Sequence, residues 1–74
     1  MPLVIAPVGR ELRIIKVIAE VGIKKHLENL GIMADGIITI ISVCDGNVIC
    51  LVKDGRIALD RDIAMKIFVQ EVTR

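Results

Sequence analysis

The chain has 74 residues, 54% of them apolar, a single aromatic residue, Phe68, and a formal net charge of +1. That length holds one domain and leaves too little material for a deep, water-excluding catalytic cleft. The near-neutral balance and the absence of Trp and Tyr argue against a sequence-reading nucleic-acid binder, which needs a basic face or aromatic platforms for bases. The apolar residues are mostly Ile, Val and Leu, which suit pleated, tightly packed strands. Two cysteines, Cys44 and Cys50, are too few for the disulfide framework of a small secreted domain. The apolar start, Met1 to Val8, lacks a basic leader and is interrupted by Gly9-Arg10-Glu11, unlike a targeting segment. Ile37 to Cys44, the longest apolar stretch, falls far short of the roughly 18 residues of a spanning helix. The expected setting is the reducing cytoplasm.

Along the chain, the segment up to Pro7-Val8-Gly9 reads as a turn into a first strand, Glu11 to Ile18. Leu12 and Ile14 alternate, and the phase then shifts at Ile15 and Val17, which predicts a β-bulge. After the break at Glu20-Val21-Gly22, Ile23, Leu27 and Leu30 fall at i, i+4 and i+7. They make one apolar stripe on a helix from about Ile23 to Leu30, closed by Gly31 as the residue able to take φ > 0. A helix of about two turns is too short to stand alone and must lay that stripe on the sheet. Asp35-Gly36 turns the chain into a second strand, Ile37 to Cys44. A hairpin at Gly46-Asn47 then sets Val43 against Cys50 and Cys44 against Ile49, with Val48 to Val52 as the returning strand. Asp54-Gly55 reads as a type I′ hairpin, placing Val52 opposite Ile57 and Leu51 opposite Ala58. Asp60 is the expected N-cap of a helical turn through about Met65, and Ile67-Phe68-Val69 is a final short strand. Short strands, tight turns and one inserted helix predict a mainly β fold, a small closed or nearly closed barrel in one domain spanning 1–74, with its apolar strands protected from edge pairing.

The run Lys25-His26-Leu27-Glu28-Asn29-Leu30-Gly31-Ile32, with Gly36 following, resembles the signature of the FeoA family. Gly55-Arg56-Ile57-Ala58-Leu59 and Ala64-Met65-Lys66-Ile67-Phe68-Val69 resemble its closing motif, and Leu3 with Pro7-Val8-Gly9 its opening. No piece is specific alone; the ordered set over about Leu3 to Val69 is. The resemblance implies an SH3-like barrel with one short inserted α-helix. It also implies an accessory role in ferrous iron uptake, through contact with the cytosolic G-protein region of the membrane transporter FeoB. Neither nucleic-acid binding nor insertion into the membrane is part of that role. Where family members often carry Arg, this chain has His26, so a bidentate guanidinium contact does not carry over.

The candidate partner-binding residues are Lys24, Lys25, His26, Leu27, Leu30 and Gly31. The three basic side chains would meet an acidic surface, against the plainer reading of a solvated helix face balanced by Glu20 and Glu28. A ferrous or zinc site needs three or four convergent ligands, and His26, Cys44 and Cys50 show no such spacing. No metal ligand set is therefore assigned, and no cofactor is required; contact with Fe²⁺ or another divalent ion would be weak or transient. The cysteines read more simply as small hydrophobes. Asp60, Arg61 and Asp62 read as a capped turn, no Ser, Cys or Lys has a base beside it, and no catalytic residue is assigned. The alternative function is a metal-responsive module that regulates another protein, and the exposed aliphatics leave room for a homo-oligomer.

Overall fold

A computed structural model of the chain describes residues 1–53 and 55–72. A 3₁₀ turn, Leu3–Ile5, precedes strand β1, Glu11–Val17, and helix α1, Val21–Asn29. Strands β2, Ile37–Cys44, β3, Asn47–Val52, and β4, Gly55–Leu59, follow as a meander; helix α2, Arg61–Ala64, leads into β5, Ile67–Glu71. All pairings are antiparallel and the sheet order is β4-β3-β2-β1-β5.

Side-chain alternation explains the inward faces. Leu12 and Ile14 of β1, Ile38 and Ile40 of β2, Val48 and Cys50 of β3, and Ile67 and Val69 of β5 are fully buried. With Leu3, Leu27, Ile32, Leu59 and Ala64 they form one continuous core. Burial of each large aliphatic contributes about 1.5–3 kcal/mol, which is what closes a domain this small. All five strands wrap that core, as a nearly closed barrel requires, and among the described residues β4 and β5 remain the two edges of the ladder. The predicted bulge in β1 is present: register shifts between Ile14 and Lys16, leaving Ile15 outward and Val17 inward. A second shift, between Ile40 and Ser42, was not expected from the sequence.

Two hairpin registers differ from expectation. The β2–β3 turn is Asp45-Gly46, with Cys44 paired to Asn47 and Val43 to Val48. Both turn residues have positive φ, 52° and 84°, the type I′ geometry that matches strand twist; Gly46-Asn47 would have put Asn47 in that position instead. With this turn and the register shift between Ile40 and Ser42, Cys50 faces Ile40, not Val43, and the two cysteines are not diagonal neighbours. In the β3–β4 hairpin Val52 pairs with Gly55 and Leu51 with Arg56, two residues away from the expected Val52–Ile57 and Leu51–Ala58 pairs. A two-residue shift keeps every side chain on its face, so burial could not distinguish the registers. Asp54, half of the predicted turn, lies outside the described residues. Asp60 caps α2 as expected, its carboxylate accepting from Ile63 N at 2.9 Å.

Candidate protein-interaction site

Helix α1 is held from its C-terminal end. Gly31 has φ +93°; its N–H donates to Glu28 O at 3.0 Å, and Ile32 N–H donates to Leu27 O at 2.8 Å. These two bonds form a Schellman closure, sealed by burial of Leu27 and Ile32 together. The chain then clasps β1: Asp35 N–H donates to Ile14 O at 2.7 Å and Ile14 N–H to Gly36 O at 2.9 Å. At its N-terminus, Glu20 supplies no side-chain cap, so the helix depends on this C-terminal anchoring.

The six expected interaction residues separate into three groups by exposure. Lys24, Lys25 and His26 are exposed, but consecutive helical residues stand about 100° apart, so they fan across the helix instead of sharing one face. Lys24 and Glu28 border a cleft of about 420 Å³ between α1 and β1, with Lys16 opposite and Ile15, Ile32 and Met33 among its apolar walls. Leu27 is 1% exposed, so no partner reaches it and its part is to fix the helix; the expectation of a contact there is corrected. Leu30 and Gly31 are half-buried. Two ion pairs form among the described residues, Arg10–Glu71 at 3.0 Å and Arg13–Asp35 at 3.3 Å, and neither draws on α1. The balancing of its cations by Glu20 and Glu28 is not realised as a direct pair in either case.

Beyond α1, the sequence reading missed the outward face of the sheet. A groove of about 560 Å³ begins at Gly31 and runs over Met33, Gly36, Ile37, Thr39 and Leu51, with Glu11 and Lys53 also lining it. Met33, Ile37 and Leu51 are 43–47% exposed. The pairings Glu11–Thr39, Thr39–Leu51 and Leu51–Arg56 make one cross-strand row on this face. In β2 and β3 nearly every position is apolar, so no polar alternation marks which side chains face solvent.

His26, Cys44 and Cys50 lie on three separate elements. The described residues contain no group of three His, Cys, Asp or Glu placed to hold a metal ion. Cys44 is exposed and Cys50 buried; the Cys50 thiol donates to Ile57 O at 3.5 Å. Burial pushes that thiol up to about 11, so at neutral pH it stays protonated, a weak nucleophile and a poor ligand. No helix among the described residues is long and apolar enough to cross a membrane.

The FeoA domain model matches residues 1–71 of the chain. Among solved structures, the crystal structure of an iron uptake regulatory protein (FeoA) superposes with a TM-score of 0.87 at 16% identity, covering 97% of each chain. The solution structure of the FeoA protein from Chlorobium tepidum gives 0.87 at 17% identity over 99% of this chain and 71% of that one. A manganese-dependent transcriptional repressor gives 0.86 at 15% identity, this chain spanning 41% of its length. At these identities the structural likeness establishes the fold, an SH3-like barrel. No curated protein matches the chain significantly.

Proposed function

The chain belongs to the FeoA family of ferrous iron transport, and we propose that it acts there as a cytoplasmic accessory protein that binds the cytosolic G-protein region of the membrane transporter FeoB. The observation that carries this reading is the family match over nearly the whole chain. The site geometry supports it with a firmly anchored helix presenting Lys24, Lys25 and His26 to solvent beside an apolar groove that starts at Gly31. Exposed cations around an apolar centre are the usual anatomy of a modest protein interface. Docking regulates the transporter by binding one of its conformations more tightly than another.

The test is titration calorimetry of the chain against the isolated G-protein region of the cognate transporter, with and without guanine nucleotide and Fe²⁺. Saturable binding that weakens about tenfold in a Lys24→Ala, Lys25→Ala double variant is expected, as for loss of complementary rim charge. Absence of binding in every nucleotide state refutes the reading. Stoichiometric uptake of Fe²⁺ by the chain alone, with no binding to the transporter, replaces it with the metal-responsive module.

A further inference from the structure

The fold treats the two edges of its sheet differently. The β5 edge is covered by the start of the chain: Val69 N–H donates to Met1 O at 2.8 Å, the Met1 ammonium donates to Val69 O at 2.9 Å, and Pro2 bridges Phe68. Among the described residues nothing comparable lies along β4, and no backbone–backbone hydrogen bond beyond its ladder with β3 involves Gly55–Leu59. Nor does β4 carry the defences common on open edges; it has no proline, no bulge and a single charge, Arg56.

Hairpin parity tells which backbone groups are open. In an antiparallel ladder, hydrogen-bonded and non-hydrogen-bonded pairs alternate, and the pair that closes a two-residue turn is of the first kind. Val52–Gly55 closes the β3–β4 turn, so Cys50–Ile57 and Val48–Leu59 also exchange bonds. The other hairpin agrees: Cys44–Asn47 closes it and Ser42–Ile49 is next in phase, so Asn47 and Ile49 bond toward β2 while Val48 and Cys50 bond toward β4. The N–H and C=O groups of Arg56 and Ala58 therefore point away from the sheet.

We propose that the open edge of β4 is a strand-addition site for an extended segment of a partner protein carrying alternating acidic and aliphatic side chains. Backbone bonds to Arg56 and Ala58 supply the pairing, as in other strand-addition complexes. On the inward face, Ile57 is only half-buried against the core, and an aliphatic residue of the added strand covers it. On the outward face, Arg56 and Lys53 are the exposed cations at this margin, and a carboxylate opposite Arg56 complements them. A second copy of the chain fits less well. Two β4 strands paired about Ile57 set each Arg56 against Ala58 and leave the two guanidinium groups as diagonal neighbours, roughly 7–8 Å apart at the backbone. Pairing about Ala58 would bring Asp60 to Arg56, but there the chain has already turned into α2 and the Asp60 carboxylate caps Ile63 N.

The probe is the synthetic peptide acetyl-Gly-Val-Glu-Val-Glu-Val-Gly-amide, titrated into the full chain and followed by amide hydrogen exchange. Exchange at the Arg56 and Ala58 amides is expected to slow at saturation, with Ile57 already slow in the free protein. Ala58→Pro removes only an outward N–H, a substitution an edge strand tolerates, and is expected to abolish the effect; Arg56→Glu is expected to weaken binding by about tenfold or more through like-charge contact. Protection confined to other amides, or undiminished binding by a folded Ala58→Pro chain, overturns the proposal. Slowing at Arg56 and Ala58 that grows with protein concentration in the absence of peptide overturns it in favour of a second copy. Should Ala58→Pro fail to fold, the wild-type exchange pattern and Arg56→Glu decide the matter alone.

Discussion

Replacing Leu27 with Ala should remove the anchor of α1 and a large share of the stability of the whole domain. Leu27 is 1% exposed and joins Ile32 beneath the helix terminus, where its carbonyl also takes the Ile32 N–H at 2.8 Å. Leu→Ala in such a site costs about 2–5 kcal/mol, the transfer term plus the cavity left behind. A domain of this length has a net stability on the order of 4–11 kcal/mol, so the variant gives up roughly half of it. With a urea slope near 1 kcal/mol/M for so small a protein, a loss of about 3 kcal/mol lowers the unfolding midpoint by about 3 M. Equilibrium urea unfolding followed by far-ultraviolet circular dichroism reads this directly. Lys24→Ala and Lys25→Ala, on the exposed side of the same helix, serve as controls and should stay within about 0.5 kcal/mol of the parent. A loss below about 1 kcal/mol for Leu27→Ala would refute the reasoning, because it would mean that the helix is held by something other than its buried C-terminal pair.

The remaining predictions concern local chemistry. Asp60→Ala deletes the carboxylate that accepts from Ile63 N at 2.9 Å and should cost about 1 kcal/mol by thermal or urea unfolding; Asp60→Asn, which keeps an acceptor, should restore most of it. Iodoacetamide at pH 8 should label Cys44 well before Cys50, since one thiol is exposed and the other buried; mass spectrometry of timed quenches reads the order. The raised Cys50 value also fixes the sign of a pH effect. The unfolded thiol ionises near its ordinary 9.0 and the folded one near 11, so its contribution is complete below about pH 9 and is lost as pH rises from 9.0 toward 11. Cys50→Val should remove that share of the alkaline stability loss, whereas Cys44→Ser should leave it intact.

Much of the architecture was legible where one local signal had one outcome. Asp60 as a cap, Gly31 as a helix stop and Ile15 as the extra residue of a bulge each follow from a residue type at a position that demands it. The hairpin registers were not legible for a different reason. Shifting β4 by two residues against β3 changes no side chain from inside to outside, so only the turn itself sets Val52 against Gly55. Likewise, Asp45-Gly46 prevails over Gly46-Asn47 because Asp at 45 can take φ 52° while Asn47 then begins the returning strand. The site was half visible. Lys24, Lys25 and His26 could be placed on a helix surface from spacing alone, but Leu27 looked equally like a contact and a core residue until its burial was known. The groove over Ile37 and Leu51 left no trace in the sequence, because strands that are apolar on both faces carry no pattern to read.

The clasp between the end of α1 and β1 also bears on how association with a partner is driven. With Ile14 bonded through both its N–H and its carbonyl to the turn at Asp35-Gly36, and Ile32 locked under the helix, the backbone carrying the basic residues and the mouth of the groove is already in one arrangement before encounter. A flexible loop in the same place would lose conformational freedom on complex formation, and a larger contact would be needed to offset it. Here that ordering is complete at folding. Binding at this surface should therefore show a small heat-capacity change, in line with rigid-body docking over a limited area and unlike coupled folding.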